Sequence, residues 1–499
     1  LCAGHIAQKS ANEGVIEKLY DIQLSTKAIL LNASNKVRNA IMNSGDVELQ
    51  HLFRQWQATK EELVRSYSLT TEERKRLGID LVKEEEKAND LEKNLSARSS
   101  QFALGKKNVS WKDVKASLKP NETAIEIIRI KKKYVPDSIY YAALIVSAGV
   151  EKPQLFIWPE GDKMENRWYK YHRNAIKFHF KDTISFKHFW GSLLTILPAS
   201  KTLFISCDGV FNKINLNCIQ NPSTNKWAID EFNIRLVSNT RELTESHPSM
   251  KTSSNQASIF GYADFNLTAA NQVIASTGGK RASRFGFQGE EIPMLPATKK
   301  EVDLLNEVLT AKAWKTSSFT LVDATEENFK KINNPQILHI ATHGFFLNDV
   351  DVNDELESNE ERQLAKNPLF RSGILLAGAG LQQTGTQEDG VLIAYEAMNL
   401  TLDDTELVSL SACETGLGDV RNGEGVYGLQ RSFLVAGART VIMSLWQVDD
   451  EATQELMSTF YTQWINGMDK FQAFRAAQLA IKEKHKLPYY WGAFVMIGN

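Results

Sequence analysis

Long apolar runs are missing from this sequence. No stretch approaches the ~18–20 residues needed to cross a bilayer, and the longest, such as 140–146, are strand-sized. A membrane partner is therefore not expected. Cysteine is scarce: Cys2, Cys207, Cys218 and Cys413 are the only four, and they show neither paired spacing nor a Cys-x-x-Cys. That excludes a disulfide framework or a zinc module and suits a reducing compartment, so a cytoplasmic location is expected. An excess of one charge is absent too. The formal net charge is −2, so no basic field advertises a nucleic-acid or membrane surface. Gly-x-Ser-x-Gly is absent, which removes the simplest serine hydrolase. Glycines occur at Gly378 and Gly380 and through 382–390, yet no Gly-Lys-Ser/Thr follows, so they read as a loop and not as a phosphate cradle. No secretory leader is visible. The chain opens Leu-Cys-Ala-Gly without Met and is expected to be a fragment with any leader upstream.

What is present fits a soluble globular protein. Hydrophobic residues make up 42% and charged residues 24% of 499, a length that suits two to four domains at the usual ~100–200 residues each. The first hundred residues carry helical apolar spacing: Leu30, Ala33, Val37, Ala40 and Ile41, then Leu81, Ala88, Leu91 and Leu95. The dense mixed charges around them, at 71–76 and 83–87, read as a solvated helix face. No Gly/Pro/Ser-rich linker follows, and a hinge, if there is one, lies at 96–107. From Trp111 short β-rich runs appear at 124–128, 140–146, 155–158 and 203–206, interrupted by candidate helices at 166–178 and 185–197. From about Ser258 strands (258–262, 336–341, 373–377, 406–411, 440–445, 492–497) alternate with helices (298–309, 326–332, 423–436, 450–465, 470–484). Alternation with strands apolar on both faces predicts a mostly parallel sheet flanked by helices. Three parts result: a helical segment at 1–105, a smaller α/β part at 106–255 and an α/β core at 256–499.

In such sheets chemistry sits where loops leave the carboxyl ends of strands. The strand 336–341 runs into Thr342-His343-Gly344, and the strand 406–411 into Ala412-Cys413-Glu414-Thr415-Gly416. If the strands are neighbours, an imidazole and a thiol meet at one edge, as a thiol nucleophile with its base requires. The amides of Gly344 and Cys413 would cradle an oxyanion. Singly, Cys413 also reads as a small buried hydrophobe and His343 as a hydrogen-bonded structural residue. The shared position at a strand exit favours the dyad, and both readings stand on these residues alone.

His339 and His343 are four apart, but in a strand they are about 13 Å from one another, too far to share a metal. His339 reads as a packed core histidine, and neither zinc nor another metal or cofactor is expected. Trp446-Gln-Val-Asp-Asp-Glu451 follows a further strand. It reads either as the acid-enriched start of a helix or as a substrate pocket in which Trp446 is the wall and Asp449 and Asp450 supply the charge.

The segments 338–346 (Leu-His-Ile-Ala-Thr-His-Gly-Phe-Phe), 410–418 (Leu-Ser-Ala-Cys-Glu-Thr-Gly-Leu-Gly) and 444–450 (Ser-Leu-Trp-Gln-Val-Asp-Asp) resemble the signature blocks of the CHAT domain. Lesser blocks at 203–209, 295–301, 370–376 and 423–429 agree, and the resemblance spans roughly 115–499. It implies a caspase-like fold in the clan of caspases, separases and gingipains, of a type common behind tetratricopeptide repeats in bacterial proteins. It implies a cysteine endopeptidase with His343 and Cys413 as dyad, Gly344 in the oxyanion hole, and Asp449 and Asp450 near where separase-like members take a basic side chain. Protein or peptide substrates follow, with a regulatory protein acting through upstream repeats that are not recognisable here. The alternative is a scaffold of the same fold that binds partners and cleaves nothing. The loop 347–367, rich in Asp and Glu, is a candidate for processing or gating.

Overall fold

The computed structural model describes residues 13–27, 41, 44–68, 74–76, 78–103, 109–131, 139–197, 200–245, 255–267, 291–346, 368–380, 389–412, 419–421, 425–447 and 449–498. Its centre is an eleven-stranded sheet. In chain order the strands are β1 (Glu122–Lys131), β2 (Ile139–Ser147), β3 (Gln154–Trp158), β4 (Thr202–Ser206), β5 (Asn233–Val237), β6 (Gln256–Ala263), β7 (Lys315–Leu321), β8 (Ile337–Ala341), β9 (Gly344–Phe346), β10 (Ser372–Leu375), β11 (Val391–Ile393), β12 (Leu407–Ser411), β13 (Asp419–Arg421), β14 (Gly425–Tyr427), β15 (Thr440–Ser444) and β16 (Phe494–Gly498). The large sheet runs β3-β2-β1-β4-β5-β16-β15-β12-β8-β6-β7, so strands from both α/β regions hydrogen-bond in one sheet.

The sheet is mostly parallel, as the alternating pattern predicts. One block, β15-β12-β8-β6-β7, is parallel throughout. A second parallel run, β1-β4-β5-β16, points the other way, because β16 pairs antiparallel with β15. The hairpin β1–β2–β3 closes that end. One expected member of the large sheet lies elsewhere. Residues 372–375 join a separate three-stranded antiparallel sheet, β11-β10-β9, because the chain leaves the large sheet just after β8 and pairs at once with β10.

Alternation along each strand explains why both faces are covered. Leu338, Ile340, Val408, Leu410, Val441 and Met443 fall in one buried cluster, against the segments 369–379, 391–402 and 429–438. Ile337, Leu407 and Ile442 face the other way, onto the helices Pro296–Thr310, Asp450–Ile465 and Lys470–Lys484. Each such side chain contributes roughly 1.5–3 kcal/mol when fully buried. At the β1–β5 end one face meets Met164, Trp168, Phe189 and Trp190. The opposite face meets Tyr20 and Leu24 of the helix Glu13–Thr26, together with Trp111 and Val114. The helices Val47–Ser68 and Leu81–Ala103 bury Leu49, Phe53 and Leu95 in a small cluster of their own. Of the apolar positions read at 30–41, only Ile41 lies among the described residues, and it is buried.

Candidate active site

β8 and β12 are adjacent and parallel, with Ala341 opposite Ser411. Their exits therefore leave the same edge side by side, and the edge is shared by β15, which flanks β12. His343 stands two residues beyond the end of β8. Cys413, two residues beyond β12, lies outside the described residues. The structure thus places the histidine and the last turn of chain before the cysteine, Ser411 and Ala412.

His343 is held on several sides. Its carbonyl accepts the Leu375 N–H at 2.9 Å, and the neighbouring Thr342 hydroxyl donates to the Leu375 carbonyl at 2.5 Å. The small sheet therefore clamps the histidine backbone, and Gly344 opens β9 directly after it. The ring packs against Phe265, with centroids 5.1 Å apart. Nε2 lies 2.8 Å from the Pro293 carbonyl. A carbonyl only accepts, so Nε2 is the donor here, and in a neutral ring Nδ1 is then the nitrogen able to accept.

Pro293 is itself positioned by a side chain. The Asn266 carboxamide clamps Ile292 from both directions, Nδ2 donating to the Ile292 carbonyl at 2.8 Å and Oδ1 accepting its N–H at 3.2 Å. Asp264 Oδ1 in turn accepts the N–H groups of Asn266 and Leu267. A Cβ at Gly380 would come within 2.5 Å of Asn266 Oδ1, so only glycine leaves the carboxamide its room. Sequence reasoning missed both Asn266 and Pro293.

Beneath the two exits lies a buried polar group of residues. Ser411 Oγ donates to Glu301 Oε2 at 3.0 Å, and Ser444 Oγ donates to the Ala412 carbonyl at 2.5 Å. His339, fully buried as expected, sets Nε2 3.0 Å from Glu301 Oε1, off the line of a hydrogen bond. Its Nδ1 pairs with the Tyr461 hydroxyl at 3.1 Å. Burial pushes the Tyr461 phenol up; the Ser409 hydroxyl pulls it back and Glu301 adds to the rise, so the phenol stays neutral. Such enclosed polar groups fix the strand ends only when each has its partner.

At the exit of β15, Trp446 is half-buried and donates Nε1–H to the Tyr489 carbonyl at 3.1 Å. Asp449 caps the helix Asp450–Ile465, its Oδ1 accepting the Ala452 N–H at 3.0 Å, and Asp450 is exposed in the first turn. The helix-start reading of this stretch is therefore realised at Asp449, on the edge that also carries His343. Two other thiols are poor nucleophiles. Burial pushes Cys207 up to about 12, against the pull of Lys27, and pushes Cys218 well above its usual range. Among the described residues no group of three His, Cys, Asp or Glu could hold a metal ion, and no helix is long and apolar enough to cross a membrane.

A family model described as the CHAT domain matches residues 186–499. Among curated proteins, human tetratricopeptide repeat protein 28 is 21% identical over 318 residues, 60% of this chain and 12% of that protein. The mouse protein of the same name is 30% identical over 111 residues, 22% of this chain and 4% of its own length. The chain thus spans only a small part of these relatives. Among solved structures, the Arg-specific cysteine proteinase gingipain R aligns with TM-score 0.34 and 11% identity, covering 60% of this chain and 63% of its own. The Saccharomyces cerevisiae separase–securin complex aligns with TM-score 0.41 and 10% identity, covering 78% and 30%.

Proposed function

The chain belongs to the CHAT domain family, and from that membership we propose that it is a cysteine endopeptidase that cuts protein or peptide substrates with His343 and Cys413. The observation that supports the proposal is the pairing of β8 with β12, which sets the two strand exits side by side, with His343 Nε2 engaged by a carbonyl and Nδ1 turned to other partners. In the proposed cycle the Cys413 thiol proton passes to His343 Nδ1 and the thiolate attacks the scissile carbonyl carbon. The oxyanion that forms is met by the amides of Gly344 and Cys413. On collapse the C–N bond breaks, and the leaving amine takes the proton back from Nδ1. Water, giving a proton to the same nitrogen, then attacks the thioester carbon; the C–S bond breaks, the acid product leaves and the Cys413 thiolate takes the proton back from Nδ1.

Trp446, Asp449 and Asp450 are the proposed wall and charge for a basic side chain before the cut, since they follow β15 on the same edge. Repeats upstream, of the kind named in the curated relatives, are the proposed route for a regulatory partner. The test is hydrolysis of fluorogenic peptides with Arg or Lys before the reporter. Wild type is expected to cleave them, while Cys413→Ala and His343→Ala lose at least about a thousandfold in kcat/KM. A wild-type chain inert toward a broad peptide set, or a Cys413→Ala variant as active as its parent, would leave the scaffold reading in its place.

A further inference from the structure

The helical stretch 161–177, formed by Gly161–Lys163, Met164–Trp168 and Tyr169–Lys177, turns Met164, Trp168, His172, Ala175 and Ile176 into the core. Its outward side carries Arg167, Lys170 and Lys177, and Lys181 follows; all four are exposed. The carboxylates in and next to the stretch are occupied, Glu160 by Lys163. Asp162 accepts the Ile139 N–H at 3.0 Å, Glu165 takes the Arg129 guanidinium and the Tyr141 hydroxyl, and Asp182 accepts the Ser185 N–H and meets His172 Nδ1 at 2.9 Å. The surface is therefore cationic in a chain whose net charge is −2.

Two large aromatics stand out beside these cations. Phe178 is 63% exposed and Phe180 42% exposed, and Lys177 Nζ lies 5.6 Å from the Phe178 ring centroid. Neighbouring exposed aromatics with a basic rim have the composition of an interaction surface, in which aromatic and Arg side chains are enriched. The surface also leads to the site. His179, between the two phenylalanines, packs on Tyr489 with centroids 5.0 Å apart, and the Tyr489 carbonyl holds the Trp446 indole. Tyr489 precedes β16, whose start lies beside the end of β15, so this contact is on the edge that carries His343.

We propose that this basic-aromatic surface is an exosite for an acidic segment of the substrate protein, one that also carries an apolar residue to cover Phe178 and Phe180. The proposal rests on the endopeptidase reading and adds the substrate's class to it. Complementary charge steers such a segment in, and the aromatic pair holds it. From β16 to β8 is three strand spacings, about 15 Å, so the acidic segment lies roughly five or more extended residues from the scissile bond. A nucleic acid is less suited, because the cations follow one helix side only and the aromatic pair stands at its end. A bilayer would meet only two phenylalanines.

Binding is measured on the Cys413→Ala chain, to prevent turnover, by anisotropy of a fluorescein-labelled peptide of Asp, Glu and Phe. The same assay is run with a Lys/Phe peptide, a single-stranded oligonucleotide and phosphatidylserine vesicles. The acidic peptide is expected to bind best and to weaken as salt rises. The triple variant Arg167→Glu/Lys170→Glu/Lys177→Glu, and separately Phe178→Ser, are expected to weaken it by about tenfold or more. In a chain that keeps Cys413, the same substitutions are expected to leave cleavage of a short fluorogenic peptide unchanged. Tighter binding of the oligonucleotide or the vesicles, or equal binding by parent and both variants, would overturn the exosite. Intact acidic-peptide binding in a chain that cuts no short peptide would instead sink the endopeptidase reading and leave the surface standing.

Discussion

A neutral imidazole offers one nitrogen as donor and the other as acceptor, so the carbonyl that engages His343 Nε2 decides which nitrogen can take a proton from a thiol. That carbonyl belongs to Pro293 and is set in place by Asn266 through Ile292. Asn266→Ala is accordingly expected to lower kcat by about 10- to 100-fold, because a misplacement of about an ångström at the base is enough for that. Stability, read from the urea midpoint, should move far less, and an unchanged kcat would show that Asn266 does not govern the ring. None of this was legible in the sequence, since a main-chain carbonyl has no signature and an asparagine in a loop looks like any turn residue. His343 was legible, because an apolar strand ran straight into it.

Asp449 is the reverse case, since both readings of it came from the sequence and the helix cap is the one the structure displays. Asp449→Ala should cost about 1 kcal/mol of stability, whereas Asp449→Asn keeps a capping oxygen and should cost only a few tenths. If the carboxylate also reads a basic side chain, the Asn variant loses the preference for Arg and Lys while staying as stable as its parent. Asp450→Asn is the companion variant. A preference profile unchanged in both would confine Asp449 to capping and leave Asp450 a solvated side chain.

Among the elements, the helix Glu13–Thr26 docks by an arrangement that helical periodicity alone would not suggest. Lys27, just past its end, is 2% exposed, and its Nζ donates to Glu126 Oε2 at 3.1 Å, to the Ile127 carbonyl at 2.8 Å and to the Ser206 carbonyl at 2.9 Å. Asn239 Nδ2 meets the carbonyls of Gln23 and Lys27, satisfying the helix's open end. Lys27→Ala leaves Glu126, itself fully buried, without its counter-charge and should cost about 3–5 kcal/mol. Adding Glu126→Gln removes the orphan charge and keeps an acceptor for the Thr240 N–H, so the double variant should recover much of the loss. A double variant no more stable than Lys27→Ala, by urea unfolding, would refute the pairing argument. The strands show the same limit on sequence reading. β8, β12 and β15 were found because every residue in them is buried and most are apolar. β7 was missed because Lys-Thr-Ser-Ser-Phe-Thr-Leu is a half-exposed edge with no apolar run. β9 was missed because three residues carry no period.

For the molecule as a whole, alternating strands and helices announced a mostly parallel sheet but could not announce a reversal, since strand direction is set by connections and not by composition. The reversal falls between β15 and β16, and β16 is also the sole partner of β5 on that side. Leu236 of β5 pairs with Ile497, far along the chain, and closing so long a loop costs more entropy than pairing strands nearer in sequence. This predicts an order in time: β1, β4 and β5 assemble first from nearer chain, and β5 is an open edge, a template for stray pairing, until β16 arrives. Pulse-labelled hydrogen exchange during refolding should find the amides of β16 protected together with the β5 edge, after those between β1 and β4, whereas simultaneous protection of all four strands would show that the seam is not the late step. The start of β16 also flanks the end of β15, so until that strand docks the edge around Trp446 has β12 on one side and nothing on the other.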